Sequence, residues 1–539
     1  MPRPRARFSR PPRALLLALV VVLATLGAVL TPARALEFRW SAPESLPTLD
    51  PHALPGLDQQ GLIGALYEGL TRRGPTLALE PGLATGWQPI GETRWRFSLR
   101  AGVRFHDGTP FRADDVVASL ERARARTGPS QLADLLASVR RVRRIDDRTV
   151  DLFTTTPTPD LPERLALVPI LPHDWAGRPA DALRTQANGT GPFKLESFTP
   201  NGPLSLVANP LWWDRLDPSL SRATLYPAAS AETRLRFLTE DRVDVALDLP
   251  PAEWGTLERK PGLVALRATG ARTLFLGMDQ VSPTLRFGRA TGNPFQDRRV
   301  REALMRALDI DALNKSVYAG LATPAALMTS PAVAGFPDAL NVRPAHDLAR
   351  ARALMAEAGL AGGFSVTLDC PSGRYPQDEA LCAGVARALG TVGVRVSVRA
   401  LAGDAYFDRV LKRETSFYLL GWQPATLEIT STLKALAACP SEERPGVAAA
   451  PGPGALNIGG ACDEEAHRLI LRLGATLDTP QRHSLAARAL LRLRDAIVVL
   501  PLVQQPVLWG TRDRVTLAQR ADGVLDLRFI TLDPGRAVQ

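Results

Sequence analysis

The side chains able to do chemistry are few and scattered. Six histidines stand singly at 52, 106, 173, 346, 467 and 483, and none has a second histidine or a cysteine at ligand spacing. A zinc site needs such ligands grouped, so no metal is expected. There is no G-x-S-x-G elbow, no H-E-x-x-H and no phosphate-binding Gly-rich loop. The acidic pairs Asp114-Asp115 and Asp146-Asp147 fall at helix starts or turns, where capping accounts for them without acid-base work. Four cysteines, at 370, 382, 439 and 462, match no zinc motif. They allow three pairings; the local pairs Cys370–Cys382 and Cys439–Cys462 are the reading taken here, with buried thiols as the alternative. The expectation is a binding protein with no catalytic residue and no cofactor.

Such a protein needs elements that hold a ligand. Trp95, Phe97 and Leu99 alternate, and after Ala101-Gly102 the alternation resumes at Val103 and Phe105, which predicts a hairpin. Asp107-Gly108-Thr109-Pro110 is a turn, followed by a helix capped at Asp114 with Val116, Val117 and Leu120 on one face. Asp297 caps a helix bearing Val300, Leu304 and Leu308, and Asp347 caps another that stops at Gly359. A strand at 364–368, a helix at 378–389 and a strand at Val394, Val396 and Val398 follow, the succession of an α/β layer with parallel strands. Residues 440–461 read as a Pro/Gly/Ala-rich surface loop.

The first 35 residues read as an export signal, with an uncleaved anchor as the alternative. Met1 to Arg13 carries five arginines and no acid, Ala14 to Leu30 is almost wholly apolar, and Ala33-Arg34-Ala35 offers a small-x-small cleavage site. At 17 residues the apolar run is short of the roughly 20 that span a bilayer. Removing the six arginines of residues 1–35 lowers the net charge from +10 to +4. The remaining basic residues are scattered along the chain, so no nucleic-acid partner is expected. The 539 residues exceed one core and call for two or three domains.

Several segments in order resemble extracellular solute-binding protein family 5, the peptide- and nickel-binding components of ABC importers. They are LDPH at 49–52, YEGL at 67–70, LRAGVRFHDGTPF at 99–111 with its following ADDV, GTGPF at 189–193, NPLWWD at 209–214, DRRVREALMRALD at 297–309, and the YLLGW strand ending at Trp422. The resemblance implies a bilobal α/β periplasmic-binding-protein fold (type II, three-domain, peptide-binding-protein-like) with a hinge and an interlobe ligand cleft. Residues 36–78, 190–285 and 500–539 would form lobe I, 79–189 an inserted subdomain and 286–499 lobe II. A monomeric periplasmic chain would deliver a small solute to inner-membrane ABC permease subunits. Signalling reception, and more remotely hydrolysis, are the alternative functions. His106 and Asp107 are assigned to structure.

In peptide-binding relatives an acid three residues past Gly-Trp pairs with the ligand's ammonium; here that position is Ala425. Glu428 is the substitute candidate, and ordinary peptides are in doubt. Arg374 in CPSGRYPQDE is the candidate carboxylate anchor, with Tyr375 beside it. Trp422 offers either a flat wall for a ligand or a core side chain. Tyr67 and His52 lie in segments that border the cleft in the family. The expected ligand is peptide-like or another carboxylate-bearing organic solute, with opine-, sugar- or amino-acid-derived compounds included.

Overall fold

A computed structural model describes residues 36–54, 59–125, 132–440 and 452–533. The expected export segment, and residues 441–451 of the Pro/Gly/Ala-rich loop, lie outside the described residues.

Two long antiparallel strands, Leu263–Met278 and Val499–Arg512, run through the middle of a 12-stranded mixed sheet. To one side lie Val245–Ala246, Leu36–Ser41, Leu220–Leu225, Leu204–Ala208 and Phe193–Phe198. To the other lie Phe417–Trp422, Phe364–Ser372, Gly288–Arg289 and Val394–Ala402. The two sides bury different apolar sets. Phe38, Trp40, Phe193, Leu206, Val507 and Trp509 share one core. Leu274, Leu276, Met278, Phe295, Leu304, Leu368, Leu419, Leu500 and Leu502 share another.

The change of core happens within each long strand. Thr269 pairs with Pro506 and Thr273 with Gln504, so Gly270–Arg272 bulge against Gln505. Gly270 is required there: a Cβ would stand 2.2 Å from the Gln505 carbonyl oxygen. Leu274, Leu276 and Met278, expected in lobe I, share a core with Phe295 and Leu304 of the expected lobe II, as do Leu500 and Leu502.

A separate four-stranded antiparallel sheet, Ala84–Pro89, Arg94–Leu99, Thr149–Thr154 and Val139–Asp146, packs with the helix Ala113–Arg124 around a third core of Trp95, Phe97, Val116, Leu120, Val150 and Leu152. Two sequence readings are corrected here. Trp95, Phe97 and Leu99 face inward as their alternation predicts, but strand Arg94–Leu99 pairs with Ala84–Pro89 and Thr149–Thr154, not with Val103 and Phe105. The latter close on their own loop, Phe111 N–H donating to the Val103 carbonyl at 3.0 Å and Phe105 N–H to that of Thr109 at 2.9 Å. The carboxylate at the helix start belongs to Asp115, which accepts from Arg112 N–H at 2.7 Å; Asp114 is exposed and pairs with Arg144 at 2.8 Å. Either acid satisfies the pattern, and only the buried one reaches the first turn.

Asp297 accepts from Arg299 N–H at 2.8 Å and Asp347 from Arg350 N–H at 2.9 Å, as capping predicts. Phe364–Ser372 and Val394–Ala402 are parallel, joined by the helix Asp378–Gly390. Cys370 bonds to Cys382 and Cys439 to Cys462.

Candidate functional site between the two cores

Chain segments from the two sides meet along a seam beside the bulged strands. The Arg73 guanidinium donates to the Leu77 carbonyl at 3.0 Å and crosses to the Thr426 carbonyl. Its own carbonyl accepts from Arg528 at 2.7 Å. Gln423 reaches the Asp522 carbonyl at 3.4 Å, and Leu77, Ala271 and Leu427 form a small apolar cluster across the join.

Next to this seam the strand Phe417–Trp422 ends. The Tyr375 hydroxyl accepts from Gly421 N–H at 3.0 Å and donates to the Gly421 carbonyl at 3.2 Å, so it is spent on the backbone. Gly421 is needed for that approach, since a Cβ would meet the Tyr375 ring at 2.7 Å. Burial pushes the Tyr375 phenol pKa up. Two guanidiniums gather on its ring, Arg374 with its carbon 5.7 Å and Arg272 with its carbon 5.8 Å from the centroid. The Asp378 carboxylate sets the loop by accepting from Arg374 N–H at 2.9 Å and Tyr375 N–H at 3.0 Å, leaving the Arg374 side chain exposed. Trp422 is half-buried and donates its indole N–H to Thr432 Oγ1 at 3.0 Å, so one face packs and one edge is fixed.

Glu428 is buried and fully employed. It accepts from Thr430 N–H at 2.7 Å, capping the helix Ile429–Leu436, and pairs with Arg482 at 2.6 Å. Glu163 faces the same group of charges. Burial raises its carboxyl pKa and nearby Asp160 adds to the rise, while Arg73 and Arg482 oppose it. Its Oε2 is buried with no hydrogen-bond partner.

His52 and Tyr67 belong to a different group. His52 is buried with Nε2 2.8 Å from the Pro169 carbonyl, so that nitrogen carries the proton of a neutral ring. Burial lowers its pKa to about 4. Asp50 beside it pairs with Arg122 at 2.9 and 2.6 Å, and both line a cavity of about 590 Å³ with His173 and Arg178. The Tyr67 hydroxyl accepts from Asn188 N–H at 3.3 Å, and burial raises its pKa.

The structure thus gathers Arg374, Tyr375 and Trp422, with Glu428 one loop further along, and sets His52 and Tyr67 apart. Arg73, Arg272, Glu163 and Arg482 were not identified from the sequence. None belongs to a local motif, and Arg73 meets Thr426 across 353 residues. His106 ties the family-like turn to the rest: its backbone N–H donates to the Gly189 carbonyl at 2.8 Å, and Asp107 accepts from Asn188 at 2.7 Å.

Two α/β halves, joined by strands that cross between them beside a charged seam, define a bilobal periplasmic binding protein of the type II fold. The chain belongs to the bacterial extracellular solute-binding proteins, family 5, whose middle region matches residues 78–442. It is 26% identical over 409 residues to the glutathione-binding protein GsiB of Escherichia coli K12, covering 72% of this chain and 75% of that one. Among solved structures it is similar to HbpA2 from Haemophilus parasuis (TM-score 0.80, 21% identity, 92% of this chain and 100% of that chain). It is also similar to AgaA of A. tumefaciens R10 in complex with agropinic acid (TM-score 0.72, 21% identity, 92% and 98% covered). The family is periplasmic, and its members are binding proteins that take peptides or small ligands and work with ABC permeases. This chain is such a solute-binding protein.

Proposed function

We propose that this chain captures an acid-bearing organic solute between its lobes, as a monomer without catalysis, and hands it to its permease after export and cleavage near Ala35. On this reading residues 36–78, 190–285 and 500–539 form lobe I and 286–499 lobe II, with the two long strands changing core at 270–272 and 504–506. Residues 79–189 remain the inserted subdomain.

The observation that carries the ligand class is the pair of guanidiniums, Arg272 and Arg374, held on the Tyr375 ring beside Trp422. A carboxylate takes two parallel N–H bonds from such a group. The tryptophan supplies the apolar wall that most small-ligand sites have. Ala425 offers no acid for a peptide ammonium, and Glu428 already answers Arg482, so the balance of charge favours an anion. The glutathione-binding and agropinic-acid-bound relatives support the same class.

Native mass spectrometry of protein taken gently from a periplasmic extract tests this. A discrete added mass that leaves on denaturation is expected. Against that compound, Arg374→Ala weakens binding at least tenfold, in keeping with about 1.5–3 kcal/mol for a charged hydrogen bond. Unchanged affinity in both Arg374→Ala and Arg272→Ala removes the anchor.

A further inference from the structure

The inserted sheet carries a feature that solute capture does not use. Residues opposite one another in an antiparallel pair share a face. Arg94 stands opposite Phe153 and Arg96 opposite Asp151; on the other side of that central strand, Arg141 stands opposite Phe153 and Arg143 opposite Asp151. Four arginines therefore surround one aspartate and one phenylalanine on a single face. The opposite face, with Trp95, Phe97, Val142, Val150 and Leu152, is the buried core.

The charges on this face do not cancel. The Asp151 side chain is wholly buried beneath the guanidiniums and pairs bidentately with Arg96 at 2.7 and 2.9 Å. Arg143 and Arg94 are more distant from it, at 3.6 and 3.9 Å. Four cations over one anion leave an excess of three. The side chains remain 35–44% exposed at Arg94, Arg96 and Arg143. Phe153 orients two of them, with Arg143 5.6 Å and Arg94 6.0 Å from its ring. Val139–Asp146 is the outer strand of this sheet, and it continues the positive edge with Arg140 and Arg144, the latter answered by Asp114 and Asp147. Asp146 and Glu92 are the other acids, at strand ends.

We propose that this face docks the protein on an anionic phospholipid surface. Exposed guanidiniums spread over one face of a sheet suit the phosphates of a headgroup layer better than a small solute, which binds in a concave site. A periplasmic protein is never far from such a layer, and docking would keep it near membrane-bound partners. The charge is not diffuse after all: the fold concentrates arginines that look scattered in the sequence.

The test is co-sedimentation of the mature chain with vesicles of phosphatidylglycerol and phosphatidylethanolamine, against vesicles of phosphatidylcholine, in low salt. Strong preference for the anionic vesicles is expected, with loss at ~0.5 M salt as screening shortens. Each arginine removed lowers partitioning about fivefold, so Arg94→Gln/Arg141→Gln/Arg143→Gln, which keeps the Arg96–Asp151 pair, should lose about 100-fold. If the triple variant does not fold, Arg141→Gln alone should lose about fivefold. Equal binding to both vesicle types, or variants that bind like the parent, overturns the proposal. Binding to soluble polyphosphate but not to vesicles overturns the assignment to lipid.

Discussion

Replacing Glu428 by alanine separates two roles that one carboxylate can play. The structure spends it twice, on the cap of helix Ile429–Leu436 and on Arg482 at 2.6 Å, with both side chains at most 5% exposed. Loss of the cap costs about 1 kcal/mol. Loss of the partner leaves a guanidinium buried and unpaired, which costs about 3–5 kcal/mol. The sum is about 4–6 kcal/mol, half of what a typical domain has to spend. Urea denaturation followed by tryptophan fluorescence should show a large fall in midpoint. The double variant Glu428→Gln/Arg482→Met removes both charges and should recover most of the loss, leaving about the cap term. A Glu428→Ala protein that unfolds within ~1 kcal/mol of the parent, yet loses ligand affinity, refutes this reasoning and returns Glu428 to the binding site.

Two further perturbations follow from other parts of the fold. His52 and His106 both titrate at about 4 in the folded chain, because burial disfavours the imidazolium. The unfolded chain takes up protons near 6.5, so stability is full above that pH and falls as pH drops from about 6.5 to about 4, by about 3 kcal/mol for each histidine. Denaturation at stepped pH checks it, and His52→Gln should flatten the slope over that window. At the strand crossing, Gly270→Ala puts a methyl 2.2 Å from the Gln505 carbonyl oxygen and should cost about 1–3 kcal/mol. A wild-type denaturation midpoint in that variant would show that the crossing strands yield without strain.

Local signals were legible. The caps at Asp297 and Asp347 need only a side-chain oxygen and an N–H two or three residues on, and the inward faces of Trp95 and Val116 need only periodicity. Pairing was not legible, because alternation says which face a strand buries and is silent on its neighbour. Strand Arg94–Leu99 took a partner from residues 149–154, beyond a helix, over the near one at 103–105. The lobe crossing was hidden for a related reason. Strands Leu263–Met278 and Val499–Arg512 carry polar residues at mid-length, such as Arg272, Thr273, Gln504 and Gln505, and the bulge at Gly270–Arg272 appears only when Gln505 is set against it.

The cleft shows the same limit more sharply. A carboxylate near Gly-Trp was a sound thing to look for, since a buried ammonium must have a counter-charge. Glu428, three residues beyond the position that Ala425 holds, was the substitute the local sequence offered. What the local sequence cannot hold is that Arg482, 54 residues later, already answers it. The same is true of Tyr375, whose hydroxyl looks available in GRYP until Gly421 is found 46 residues on. Candidate ligand groups are thus sorted by prior commitment, and commitment is a property of the fold. Arg374 keeps its place as the proposed anchor because the fold fixes its backbone through Asp378 and leaves its side chain exposed over the Tyr375 ring, and an aromatic ring orients a guanidinium without neutralising it.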